Sequence, residues 1–301
     1  MKLPFWIAAF LMLVSIPAFS QDTIRGLVID SATQEVVPWS IVILTHTGFG
    51  TITDDKGYFE MTVPDSSRWN TLSLTCIGYD TMVVPKKDIQ LNTVQQFYIS
   101  KSPFTLRATN IIFLDTTKAC KDELGDRSND DNGYWQGETG YEVGLFFPNT
   151  EHQTGIIRTV GFYIQNEGYS QTPFRVRLYY LDTLKKCPGE SMTERDIIIT
   201  PKKGKRWANA DLSSLELPVP PNGFFVSMQW LPDADTHKYA ETVGKLNIQY
   251  SGQVLGMNQD LPVHMSWNRL LDHTWSLVEE TNPRPEIWNA MIRCEIFHPC
   301  K

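Results

Sequence analysis

The sequence predicts an all-β chain made of two sandwiches in series, a smaller one over residues 22–102 and a larger, jelly-roll-like one over residues 103–301. Three observations predict it. Apolar and polar side chains alternate with period two along most of the chain, the pattern of strands with one buried face. Pro and Gly, 18 and 19 of them, fall between these runs at short intervals, so the strands are many and short, as in sandwiches and barrels. Helical periods are few.

The elements follow in order. Residues 1–20 carry Lys2, an apolar run over 3–16 and the small-residue exit Pro17-Ala18-Phe19-Ser20, the three parts of a secretory signal peptide. The run is short of the roughly 20 residues a membrane helix needs, and no later segment approaches that length. No cysteine follows the exit to take a lipid. The expected location is therefore the periplasm, the outer-membrane periphery or the cell surface, without a transmembrane segment in the mature chain.

Residues 40–45 are apolar nearly throughout and suit a strand covered on both faces. Phe59, Met61 and Val63 alternate with Tyr58, Glu60 and Thr62, which gives a half-buried strand. Between these two runs Asp54-Asp55-Lys56-Gly57 makes a tight turn, since Gly57 accepts positive φ and Asp tolerates turn geometry. Cys76 shares a face with Leu72 and Leu74 and is expected in the core as a small hydrophobe. The first unit ends near Ser102-Pro103, after a strand at 96–99.

Over residues 23–79, Gly26, Asp30, Pro38, the cluster Thr53-Asp54-Asp55-Lys56-Gly57-Tyr58-Phe59, then Pro64 and Ile77-Gly78-Tyr79 resemble the carboxypeptidase regulatory-like domain. The resemblance implies a non-catalytic, transthyretin-like β-sandwich common in cell-envelope proteins of Bacteroidetes-type bacteria. Such domains also precede TonB-dependent transporters, but the residues after Ser102 cannot supply about 22 membrane strands of roughly ten residues each.

In the second unit 160–164, 174–180, 224–230 and 288–296 read as strands. Turns fall at Cys187-Pro188-Gly189, Lys203-Gly204, Pro220-Pro221-Asn222-Gly223 and Asn282-Pro283-Arg284-Pro285. Residues 264–277 read as a hairpin rather than a helix. The runs at 160–164 and 173–179, Trp207 with Asp211-Leu212-Ser213, and the run at 221–231 are similar to a region that follows the regulatory-like domain in Bacteroidetes envelope proteins; that likeness brings no activity with it. Trp207, Trp230 and Trp288 are expected to pack in the core. Of the five cysteines, Cys120, Cys187, Cys294 and Cys300 remain as disulfide candidates, and spacing leaves all three pairings open. Cys294 lies on an apolar face with Ala290, Ile292 and Ile296.

Charge excludes some functions. The chain has 27 Lys and Arg against 34 Asp and Glu, a formal net charge of -7, and its basic runs at 185–186 and 202–206 are short, so nucleic acid is a poor partner. The recurrent catalytic signatures are missing, among them Gly-x-Ser-x-Gly, His-Glu-x-x-His and phosphate-binding glycine loops. No histidine has Glu three positions on, which the zinc carboxypeptidases' His-x-x-Glu pair requires. His264 and His273 could approach each other across the predicted hairpin, the basis for a hydrolase with a dispersed site.

The most unusual stretch is 122–142, where seven acidic residues alternate with four glycines and with Tyr134, Trp135 and Tyr141. Asp126, Ser128, Asp130 and Asn132 have the alternate spacing of calcium ligands, but Asp131 stands where an EF-type loop needs Gly and Gly137 where it needs Glu. Tyr134, Trp135 and Tyr141, with Glu138 as a hydroxyl acceptor, are the candidate carbohydrate platform. Taken together, the sequence predicts a non-catalytic exported binding or assembly module of the envelope with no cofactor. Its partner is first an envelope protein, then a carbohydrate held by the 122–142 loop, and third comes the hydrolase.

Overall fold

A computed structural model describes residues 22–63, 69–102, 118–232, 237–243, 246–271, 274–281 and 286–300. The predicted leader, Pro64, Pro103, His273 and the turn at 282–285 lie outside them.

The N-terminal unit has seven strands, β1 (Thr23–Asp30), β2 (Ile41–Leu44), β3 (Phe49–Ile52), β4 (Tyr58–Thr62), β5 (Thr71–Thr75), β6 (Met82–Pro85) and β7 (Val94–Ile99). They form two sheets, β4-β1-β7 and β3-β2-β5-β6. Ile24, Val28, Phe59, Met61 and Phe97 of the first pack against Val42, Leu44, Leu72 and Leu74 of the second. Gly26 is required by that packing, because a Cβ there would stand 2.4 Å from the Phe97 ring and 2.8 Å from Phe59. Asp30 ends β1. Its carboxylate accepts the Ala32 and Thr33 N–H groups at 2.8 and 3.0 Å and the Tyr79 hydroxyl at 3.0 Å. Those backbone N–H bonds pull its pKa down to about 2. The turn after β3 is as predicted: Asp54 Oδ1 accepts the Lys56 and Tyr58 N–H groups, both at 2.9 Å, and Gly57 has φ +71°.

One expectation for this unit fails and another holds in part. β2 is not covered on both faces, since Val42 and Leu44 are buried while Ile41 and Ile43 are half-buried; in an antiparallel sheet only one face need meet a core. Cys76 packs against the core as expected but is only half-buried, because β5 ends at Thr75 and the chain turns away, placing the thiol near the Pro38 carbonyl.

The larger unit holds β8 (Ala119–Gly125), β9 (Gly133–Trp135), β10 (Glu142–Phe147), β11 (Ile156–Gly168), β12 (Phe174–Leu181), β13 (Pro188–Ser191), β14 (Ile197–Ile199) and β15 (Arg206–Asp211). After these come β16 (Phe224–Trp230), β17 (Lys238–Val243), β18 (Leu246–Ser251), β19 (Gln253–Asn258), β20 (Ser266–Arg269), β21 (Ser276–Leu277), the short helix α1 (Val278–Thr281), β22 (Asn289–Ala290) and β23 (Ile292–Pro299). One sheet runs β13-β12-β16-β10-β20-β21 with β14 on β12, a second runs β22-β19-β11-β23-β8 with β15 on β11 and β9 on β19, and β17 and β18 pair as a separate ribbon. Val143, Leu145, Phe174, Val176, Val226 and Met228 from the first face Val160, Phe162, Ile164, Leu255, Ile292 and Cys294 from the second. β20 and β21 form the predicted hairpin, with Trp267 opposite Leu277. Cys120 and Cys300 are disulfide-bonded across β8 and β23, leaving Cys76, Cys187 and a buried Cys294 as thiols.

The outer face of the first sheet is buried as well, against the simple reading of the Phe174-Arg175-Val176-Arg177 alternation. Arg175 is 1% exposed. Its guanidinium bonds Gln229 at 3.0 Å, pairs with Asp196 at 3.0 Å and donates to the Trp39 carbonyl of the N-terminal unit at 2.5 Å. Enclosure from water lowers its pKa to about 10. The N-terminal sandwich thus covers part of this face, and a buried arginine joins the two units. Farther along, Glu142 accepts Arg269 Nε and Nη2 at 2.9 and 2.7 Å, Tyr179 at 2.8 Å and Ser227 at 2.5 Å. Burial pushes this carboxyl up, but Arg269 and Arg177 more than offset it and hold it below its ordinary value. No helix among the described residues is long and apolar enough to cross a membrane.

Candidate functional site

The 122–142 stretch is tied to the sandwich along its length. Tyr163 donates to the Asn129 carbonyl at 2.8 Å, Trp207 Nε1 to the Ser128 carbonyl at 3.2 Å, and Gln165 to the Gly133 carbonyl at 2.7 Å. β9 pairs with β19, setting Tyr134 opposite Gly256 and Trp135 opposite Leu255. Two of the glycines are explained by rings lying on them. A Cβ at Gly133 would meet Trp288 at 2.8 Å, and one at Gly137 would meet Trp230 at 2.4 Å.

The calcium spacing serves the loop's own backbone. Asp126 Oδ1 accepts the Ser128 N–H at 2.8 Å and Ser128 Oγ accepts the Asp130 N–H at 3.1 Å. Asn132 instead lines a cleft beyond β9. Among the described residues no three His, Cys, Asp or Glu side chains converge to hold a metal ion. Asp126 is 1% exposed, its Oδ2 has no hydrogen-bond partner, and burial pushes its pKa up to about 6.

The aromatic candidates divide. Tyr141 turns inward, with its ring stacked on Trp135 at 6.3 Å and tilted on Trp230 at 5.9 Å. Tyr134 is 51% exposed and Trp135 half-buried, and both wall a cleft of about 510 Å³. Tyr250 of β18, Trp288 and the carboxylates Glu279 and Glu286 line the same cleft, with Asn132 and Gln136 adding amides. Glu138 lies outside this cleft and borders a neighbouring groove.

His264 also lines the cleft, with Nε2 3.9 Å from Glu279 Oε1 and Nδ1 buried without a partner. Two tryptophans expected in the core are not there. Trp207 sits on the outer face of the second sheet beneath the Arg293 guanidinium, 4.3 Å from its ring, and Trp288 walls the cleft because Gly133 leaves its face room to approach. Trp230 is buried as expected. Sequence reasoning missed Tyr250, Glu279, Glu286 and Trp288 as partners of the loop; three remote segments bring them in, and only the excess of aromatics hinted at it.

No curated protein matches the chain. Among solved structures, the cysteine protease and lectin-like domains of Cwp84, a surface layer associated protein of Clostridium difficile, align with 92% of this chain at 8% identity and a TM-score of 0.36. This chain spans 63% of that one's length. A DUF3823 family protein from Bacteroides uniformis aligns over 91% of this chain and 98% of its own, at 11% identity and a TM-score of 0.19. The family described as CarboxypepD_reg-like domain matches residues 24–110, so the N-terminal sandwich carries that domain, and the sandwich that bears the cleft lies beyond it.

Proposed function

We propose that the chain is an exported, non-catalytic binding module of the cell envelope that holds a neutral carbohydrate in the cleft between β9, β18 and α1. The observation that carries this reading is four aromatic rings, Tyr134, Trp135, Tyr250 and Trp288, sharing one cleft with carboxylate and amide side chains. Flat rings cover the apolar faces of sugars, and the polar groups take the hydroxyls, the mix expected of a pocket this size. Glu279, Glu286 and the net charge of -7 disfavour anionic glycans. Export is supported by the predicted leader and by the Cys120–Cys300 disulfide, which suits an oxidising compartment.

An envelope protein as partner, the first expectation from sequence, finds less support. Among the described residues only Val94 and Tyr98, on the edge strand β7, share an element, while Val36, Val83, Leu184 and Val263 are exposed on separate ones, and so few neighbouring apolar residues make no large docking patch. The non-catalytic part of the reading rests on exposure. Glycoside cleavage needs one carboxyl shielded by apolar surroundings, whereas in this cleft the Glu279 side chain is 52% exposed and Glu286 is open to solvent.

Native electrophoresis through gels containing glucan, mannan, xylan or pectate tests this. At least one neutral polysaccharide should retard the protein, pectate should not, and Tyr134→Ala should weaken the retardation about tenfold. Unretarded migration through every neutral polysaccharide sinks the carbohydrate reading. Shorter sugars released on long incubation would overturn its non-catalytic part.

A further inference from the structure

Beyond Tyr250 the cleft meets a second groove, of about 410 Å³, lined by Phe49 and Gly50 of the N-terminal sandwich and by Glu138, Lys238, Tyr250 and Leu271 of the larger one. We propose that cleft and groove are consecutive subsites for one chain-like neutral saccharide, and that the N-terminal sandwich supplies the distal stacking face through Phe49. The inference rests on the carbohydrate reading of the cleft and adds to it that the ligand is extended and touches both domains.

Three observations carry it. Tyr250 borders both hollows, with Tyr134 among the residues on the cleft side and Glu138 among those on the groove side. One continuous stretch of chain walls both, since residues 132–136 line the cleft and 138–139 line the groove. Finally, Phe49 is 47% exposed on β3, an edge strand of its sheet.

The groove repeats the chemistry of the cleft, with flat rings beside a carboxylate and an added ammonium group. It also has a fixed shape. Where a Cβ of Gly50 would be, Leu271 of the other unit is 3.3 Å away, and Arg175 bonds the Trp39 carbonyl on the same pair of units. A ligand therefore meets two preformed halves, and little affinity is lost to ordering them. A disaccharide fills only the cleft. A longer chain gains the second set of contacts without a second association cost.

Calorimetric titration with cello- and manno-oligosaccharides, from disaccharide to hexasaccharide, reads this directly. Affinity should rise at least about tenfold along the series that binds. Phe49→Ala should remove most of that rise while leaving the disaccharide unchanged, and Tyr134→Ala should weaken every length. Affinity indifferent to length, or a rise that survives Phe49→Ala, overturns the two-domain site and leaves the cleft reading intact. No binding at any length, together with unretarded migration in the polysaccharide gels, removes both.

Discussion

Glu142 and the pair Glu279 and Glu286 are carboxylates of the same sandwich in opposite situations. Glu142 is fully enclosed, and Arg269, Tyr179 and Ser227 satisfy its oxygens. Glu279 and Glu286 stand on the wall of an aromatic cleft with their faces to solvent. The first arrangement has no capacity left for a ligand, so its role is to hold the outer face of a sheet together. The second has solvent-facing acceptors where rings converge, which is what recognition of a hydroxylated ligand requires. Asp126 is a third case, enclosed like Glu142 but with one oxygen unsatisfied.

Substitution at each of the three breaks or sharpens this comparison. Glu142→Gln leaves the Arg269 guanidinium without its counter-charge and should cost about 3 kcal/mol or more, read as a lower denaturant midpoint with an unchanged slope. A loss within about 0.5 kcal/mol would mean that the cluster does not hold the face. The pH dependence has a definite sign. The Glu142 pKa is held below its ordinary value in the folded chain, so its contribution is present above about pH 4.5 and is lost as acid protonates it.

Asp126→Asn should act the other way and more modestly. The folded pKa of Asp126 is raised to about 6, so its ionised form opposes folding at neutral pH, and that penalty fades as pH falls through 6 toward the ordinary carboxylate value. The amide keeps an acceptor for the Ser128 N–H. Thermal melts should therefore show a gain on the order of 1 kcal/mol at pH 7 that shrinks by pH 4; equal stability at both pH values would contradict the buried, unpaired state. Glu279→Gln, the smallest effect, should shift stability by no more than about 0.5 kcal/mol while weakening neutral-sugar binding. A large loss of stability there would show that Glu279 belongs with Glu142 rather than with a binding surface.

The sequence made some of this legible and hid the rest for physical reasons. Alternation at 58–63 and 224–230 located strands, and turn chemistry at Asp54 to Gly57 located a loop, because both are properties of neighbouring residues. Alternation at Arg175, Arg177 and Tyr179 showed that one face differed from the other. It could not show that the polar face was covered, since the cover comes from remote segments, Trp39 of the other unit at Arg175 and Trp275 at Tyr179. The loop at 122–142 drew attention through its rings and glycines. Even so, Tyr141 faces inward and Trp288 outward, and that sorting depends on β9 pairing with β19 and on Gly133 admitting a ring. Likewise, alternation placed Cys76 in line with Leu72 and Leu74, but the strand ends one residue earlier.

The Cys120–Cys300 bond has a mechanical consequence. It joins the first strand of the larger sandwich to the residue just past its last strand. A pull between residue 118 and residue 300 is therefore carried by one covalent link and not by the pairing of β8 with β23. The sheets between those points lie off the line of force, and so does the cleft they support. Tension that would peel β23 from β8 in a reduced chain leaves that pairing slack in the oxidised one.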